Sequence, residues 1–206
     1  MKILTLKNKN YEQRLIEMRV AKADEGKMTI EGYAITFDAP ATHEIGGRKF
    51  TETIKRGSLD KADMKDVPLR YNHNDNVMIM ARTRNKSLRL IEDEIGLKIE
   101  ADLLDTQSNR DLYKGIQEGL IDKMSFAFNV ADGGDTWIIG EEETKRDVNE
   151  ISKLWDVSVV DTPFYDSTSI YARSLDLLEN EEKRLDNLYE LELMKLKLKL
   201  KNGGSK

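Results

Sequence analysis

Residues 123–130 read KMSFAFNV. Met124, Phe126, Phe128 and Val130 fall on one side of an extended chain, and Lys123, Ser125, Ala127 and Asn129 on the other. That period of two is the signature of a strand with one buried face. The large apolar side chains must face a core, so the opposite side presents small or polar groups from a rigid support. Downstream, Asp132, Gly133 and Gly134 mark a turn, and the charged stretch EEETKRD between Gly140 and Val148 reads as a solvated hairpin loop. The segment KLWDVSVVDTPFY (153–165) is a last strong strand, expected to end at Pro163.

Working upstream, DLYKGIQEGLID (111–122) carries Leu112, Ile116 and Leu120 at helical spacing, with Gly119 as a stop. Ser108 with Asp111 three places on resembles a capping box that would start this helix. Before it, Leu88 and Leu90, the acidic turn EDEIG (92–96), and then Leu97, Ile99, Ala101 and Leu103 give the alternation of a β-hairpin. MTIEGYAITF (28–37) reads as a further strand, with its glycine at a bulge. The order of several strands, one helix, more strands and a helical tail predicts an α+β chain, an antiparallel barrel or sheet decorated by helices.

Composition narrows the chemistry. Among 206 residues, 33 basic and 38 acidic ones leave a formal net charge of −5, which argues against a dedicated nucleic-acid binder. No cysteine is present, which excludes disulfides, thiolate nucleophiles and cysteine-based zinc sites and fits a reducing compartment. With two histidines, a histidine-rich metal centre is not expected either. No apolar run reaches the roughly 18 residues a membrane helix needs, so the expectation is a cytosolic protein. Character changes near Ser174. From there to Lys201 there is no glycine or proline, acidic Asp176, Glu179, Glu181 and Glu182 come first, and Lys195, Lys197, Lys199 and Lys201 come last, as a helix dipole favours. One long exposed helix is expected there, a solvated or partner-seeking tail ending in NGGSK, although Leu196, Leu198 and Leu200 fit a helix face poorly.

The usual phosphate, paired-histidine and nucleophile-elbow motifs are absent. If the chain performs nucleophilic catalysis, its base is one of two histidines. His43 in PATHEIGG reads as an exposed loop residue, whereas His73 in YNHNDN follows VPLRY and sits where a strand turns into a polar loop, both anchored and reachable. Among the serines Ser125 has the best setting, on the open face of a fixed strand. Lys123 shares that face, so a serine–lysine pair competes with a serine–histidine one. For an orienting acid, LWDVSVVD offers Asp156 and Asp161, which period two puts on opposite faces. Asp156 aligns with Leu154, Ser158 and Val160, while Asp161 sides with Trp155, Val157 and Val159 and reads more easily as a turn or capping residue.

These stretches also carry a family likeness. IEGYAITFD, the histidine in LRYNHN, GLKIEADLLDT with its following helix, the serine in KMSFAF and the closing LWDVSVVDTPFY come in the order and at the spacing of the prohead (procapsid) maturation proteases of tailed bacteriophages. The run from about Ile30 to Ala172 resembles that family, which is related in fold to the herpesvirus assemblins. The resemblance implies a serine endopeptidase with a mainly antiparallel β-barrel core surrounded by helices. Its domain would occupy 1–173, with the core from about 28, and a helical tail 174–206. It places the catalytic histidine on His73, the nucleophile on Ser125 and the acid on Asp156. The family often has glutamate at the position of Asp156 and glycine at that of Ala127, and its glycine–arginine pair after the histidine stands here as Ala81 and Arg82. Arg82 is thereby a candidate for positioning substrate or oxyanion. Implied substrates are the scaffold or a scaffold-like segment of the major capsid protein, and the chain itself, inside the assembling procapsid in the host cytoplasm. No cofactor, metal, direct nucleic-acid contact or membrane is implied, and self-association is open. The tail would serve packaging into the procapsid or autocleavage. The competing reading is a non-catalytic scaffolding protein on the same fold.

Overall fold

A computed structural model describes residues 2–4, 11–17, 28–45, 48–140, 142–161, 183, 189–191 and 193–195. In chain order its elements are β1 (Lys2–Leu4), β2 (Tyr11–Glu17), β3 (Thr29–Thr36), β4 (Ala41–Ile45), β5 (Arg48–Ile54), β6 (Pro68–Tyr71), β7 (Ala81–Arg82), β8 (Leu88–Glu92) and β9 (Gly96–Asp102). They are followed by α1 (Gln107–Gln117), β10 (Lys123–Val130), β11 (Asp135–Ile139), β12 (Glu143–Val148) and β13 (Ile151–Val160). The chain divides into two compact units, Met1–Tyr165 and Asp166–Lys206. In the second unit the described residues are helical, and Tyr189, Leu191 and Met194 are exposed. The remainder of the expected tail helix lies outside the described residues.

The strands pair as three sheets, ordered β1-β11-β12-β5-β4, β2-β10-β13-β6-β7 and β3-β9-β8. Among the described residues all pairings between these strands are antiparallel except β12 with β5 and β13 with β6, and an isolated bridge of Asp63 to Lys153 is also parallel. The mainly antiparallel expectation therefore holds, but the barrel does not close. Among the described residues three open sheets stand in place of one continuous ring, and α1 is the one complete helix of the first unit, so a closed barrel is not formed there. Met124, Phe126, Phe128 and Val130 point into the core as the alternation predicts, beside Val157 and Val159 of β13 and Ile30, Leu97, Ile99 and Ala101 of β3 and β9. Each such side chain contributes roughly 1.5–3 kcal/mol of burial, which fixes β10 firmly.

Local departures from the sequence reading have identifiable causes. The bulge in β3 falls between Tyr33 and Ile35, not at Gly32, and lets Ala34 and Ile35 both turn inward. The hairpin of β8 and β9 forms as expected, and its Gly96 packs so closely on β3 that an added Cβ would lie 1.9 Å from the Ile35 carbonyl oxygen. Helix α1 starts two residues earlier than the proposed box. Thr106 is its N-cap, accepting from the Asn109 backbone N–H at 3.3 Å, a bond worth about 1 kcal/mol. Gly119 ends it at φ +72°, and Leu120 beyond that stop is exposed. PATHEIGG is not simply a loop, because His43 lies in β4 with Phe50 of β5 as its register partner.

EEETKRD is not a solvated loop. Its residues from Glu143 onward are β12, a central strand whose Thr144, Arg146 and Val148 turn inward. Arg146 is wholly buried, and its guanidinium bonds Asp135 Oδ2 at 2.7 and 2.8 Å and Glu52 Oε2 at 3.0 Å. The Trp137 indole N–H donates to the same Asp135 oxygen at 2.9 Å. A buried charge of either sign alone would be prohibitive, so a strand reading as polar enters the interior only with these partners in place.

Candidate active site

β10 and β13 lie side by side in the second sheet, with Ser125 opposite Ser158 and Ala127 opposite Asp156. Directly opposed residues of an antiparallel pair share a face, so Ser125, Ala127, Asp156 and Ser158 stand together on the side away from the apolar one. The alternation breaks just before Asp156. Ala127 pairs with Asp156 but Phe128 pairs with Leu154, leaving Trp155 as an extra residue in a β-bulge. Leu154 consequently joins Val157 and Val159 in the core, while Trp155 is exposed, its N–H donating to Asn129 Oδ1 at 2.9 Å. Period two had assigned Leu154 and Trp155 to the opposite sides.

β6 runs parallel to β13 on its other side and delivers His73 just past its end. Asn72 and His73 both adopt left-handed backbone, at φ +52° and +51°. Such a conformation costs roughly 1–2 kcal/mol per residue and is least unfavourable for residues such as Asn and His. Bonds to β13 hold it. The Asn72 N–H donates to the Val159 carbonyl at 3.0 Å, the Asn72 amide donates to Asp161 Oδ1 at 3.0 Å, and the Asp161 N–H returns a bond to Asn72 Oδ1 at 3.3 Å. The Tyr71 hydroxyl donates to Asp161 Oδ2, which raises the Tyr71 pKa. Asp161 is thus a fastener of this turn, in keeping with a turn or capping residue.

The three residues nominated from sequence come together. His73 Nε2 lies 2.6 Å from Ser125 Oγ, and His73 Nδ1 lies 2.6 Å from Asp156 Oδ1. The side chains of His73 and Asp156 are 4% and 5% exposed, so the pair works in a largely desolvated setting where its charge coupling is strong. A carboxylate can only accept hydrogen bonds. Facing Nδ1 it favours the imidazole tautomer with hydrogen on Nδ1, which leaves the Nε2 lone pair pointing at the serine hydroxyl. That is the geometry of a nucleophile, its base and an orienting acid. Ser158, which the sequence reading did not single out, also belongs here. Its hydroxyl donates to Asp156 Oδ1 at 2.9 Å and accepts the His73 backbone N–H at 3.2 Å. The signal available in sequence was its place two residues after Asp156 on one strand face.

The competing partners are engaged elsewhere. Lys123 Nζ bonds Asp122 Oδ1 at 2.9 Å, whereas the group 2.6 Å from Ser125 Oγ is the His73 ring. Arg82 forms a two-pronged ion pair with Asp66, through Nε to Oδ1 and through Nη2 to Oδ2 at 2.9 Å, and this holds the Asp66 carboxyl below its usual pKa. Among the described residues there is no cluster of His, Asp or Glu that could hold a metal ion, and no helix long and apolar enough to cross a membrane.

A family model described as caudovirus prohead serine protease matches residues 15–183. The chain belongs to this family. Its match runs from within β2 to beyond β13 and so takes in Ser125, His73 and Asp156. No curated protein matches the chain. Among solved structures it is similar to the capsid assembly protease gp21 of bacteriophage T4, with 14% identity and a TM-score of 0.43 over 79% of this chain and 98% of that one.

Proposed function

We propose that this chain is a serine endopeptidase with Ser125 as nucleophile, His73 as general base and then acid, and Asp156 as the group that orients and stabilises the imidazolium. The observation that carries this reading is the chain of two 2.6 Å contacts, Ser125 Oγ to His73 Nε2 and His73 Nδ1 to Asp156 Oδ1. In the acylation step His73 takes the Ser125 proton as Oγ bonds the peptide carbonyl carbon. The peptide C–N bond then breaks, and the imidazolium proton passes to the leaving amine. Water, deprotonated by the same ring, releases the acyl group and restores the serine. Asp156 is one methylene shorter than the glutamate common in the family, yet it reaches His73, so this departure leaves the catalytic reading intact.

The substrates of the reading are capsid assembly proteins, namely a scaffold or the scaffold-like segment of a major capsid protein, together with the chain itself, cleaved inside the procapsid. Family membership supports that class. The tail from Ser174 is assigned to packaging or autocleavage, on the change in composition there. Co-expression with the cognate capsid protein tests the whole: wild type yields processed bands, and Ser125→Ala and His73→Ala yield none while remaining folded. Undiminished processing by Ser125→Ala refutes the nucleophile. Processing retained by His73→Ala but lost in Lys123→Ala would instead favour the serine–lysine pair.

A further inference from the structure

Ser158 is wholly buried, and its hydroxyl touches both the base His73 and the acid Asp156. Its one proton has an acceptor at 2.9 Å in Asp156 Oδ1, its oxygen receives the His73 backbone N–H at 3.2 Å, and it stands 3.2 Å from His73 Nδ1. We infer that Ser158 is a positioning residue of the catalytic apparatus, which clips the His73 backbone to Asp156 and sets the basicity of the imidazole by holding part of the carboxylate's charge. This rests on the serine endopeptidase reading and adds a residue to it.

A hydroxyl that donates to Asp156 can accept but cannot donate elsewhere. The direction of its single proton therefore fixes the rest: lone pairs toward His73, hydrogen toward the acid. Bonding from Ser158 spreads the charge that Asp156 presents to the ring. Without it the carboxylate attracts the Nδ1 proton more strongly, the imidazolium is favoured, and the base stays protonated to higher pH. Without it, too, the His73 N–H loses its buried acceptor, at a position whose left-handed backbone already needs support. Among the described residues the other titratable and charged groups around this turn are Asp161 of the segment following β13, Tyr71 and Arg70 of β6, Asp75, which pairs with Arg70 at 2.8 Å, and Lys123 on the Ser125 face of β10. None is removed by a change at Ser158.

Because the chain has only two histidines, His73 can be followed directly by imidazole NMR in the full-length protein. In a Ser125→Ala background, where no cleavage occurs, adding Ser158→Ala is expected to raise the His73 midpoint by about half to one pH unit, the scale of one weakened charge-assisted bond. With Ser125 intact, Ser158→Ala is expected to lower kcat about ten- to a hundredfold per titrated active site and to move the acid limb of the pH–rate profile upward by the same amount. Ser158→Thr, which keeps the hydroxyl, should return both toward wild type. An unmoved His73 midpoint with normal kcat per active site, and merely fewer active molecules, would overturn the proposal and leave Ser158 a packing residue. Cleavage surviving Ser125→Ala would instead sink the endopeptidase reading itself, so the two failures are distinguishable.

Discussion

Replacing Asp156 by asparagine is the sharpest test of the geometry, because it changes a charge and a donor pattern while keeping the shape. In the present arrangement the acid can only accept from Nδ1 at 2.6 Å. An amide can turn its NH2 toward Nδ1, which moves the ring proton to Nε2 and aims it at Ser125 Oγ, where it blocks proton abstraction. Lost charge adds to this. With ring and carboxylate centres about 4 Å apart and an effective dielectric near 20, the carboxylate stabilises the imidazolium by about 4 kcal/mol. At 1.36 kcal/mol per decade that is about three powers of ten in rate, and the tautomer error brings the expected loss in kcat to about 10³–10⁴. Single-turnover cleavage of the capsid precursor by purified Asp156→Asn measures it, with circular dichroism to show an intact sheet. A loss smaller than tenfold in a folded variant would refute the role given to Asp156 and revive a base that needs no carboxylate.

Three further outcomes follow from parts of the fold remote from Ser125. Arg146→Leu should lower unfolding free energy by about 3–5 kcal/mol in urea denaturation, because Asp135 and Glu52 remain buried without their shared cation. Gly96→Ala should lower the melting temperature clearly, since its Cβ would meet the Ile35 carbonyl oxygen at 1.9 Å and force β9 off β3; a neutral result would mean the two strands are less closely seated. Asp93 has its pKa lowered from 3.8, chiefly by the Tyr33 hydroxyl and then by the Gly96 N–H. A depressed folded-state value means that its stabilising contribution is full above 3.8 and is lost as pH falls below it, so the melting temperature of Asp93→Asn should decline less between pH 5 and pH 3 than that of wild type.

What could be read in the sequence depended on whether a pattern was local. The apolar face of β10 and the β8–β9 hairpin were legible because each follows from strict alternation over a few residues. His73 and Ser125 could be nominated for a different reason: two histidines leave few bases, but ten serines leave the nucleophile open, and it was the family resemblance that singled out this pair. β12 was missed because its charges read as solvent-facing, and the partners that make Arg146 tolerable in the interior lie eleven residues upstream at Asp135 and 94 upstream at Glu52. No local window contains both. The N-cap at Thr106 was missed because Ser108 and Asp111 offered an equally good local pattern two residues on.

The bulge at Trp155 shows most directly how a non-local feature decides the site. A strand without it would carry Leu154 and Asp156 on one face, and the core would have to accept a carboxylate or give up a leucine. One extra residue resolves the conflict. Leu154 packs inside with Val157 and Val159, and Asp156 and Ser158 remain on the face that holds Ser125. The histidine then comes to the acid rather than the acid to the histidine. His73 is bound through its own backbone to Ser158 and through Asn72 to Val159 and Asp161, which draws the turn down on β13. A carboxylate shorter by one methylene spans what is left at 2.6 Å. On this account the shorter acid, the left-handed turn and Ser158 are one solution, and Asp156→Glu in this chain should act as a crowding substitution. Its added methylene has to fit where both the acid and the ring are almost fully buried, so it should lower kcat despite restoring the residue that the family often carries. Cleavage at or above the wild-type rate by Asp156→Glu would show that the turn adjusts freely and that the three features are independent.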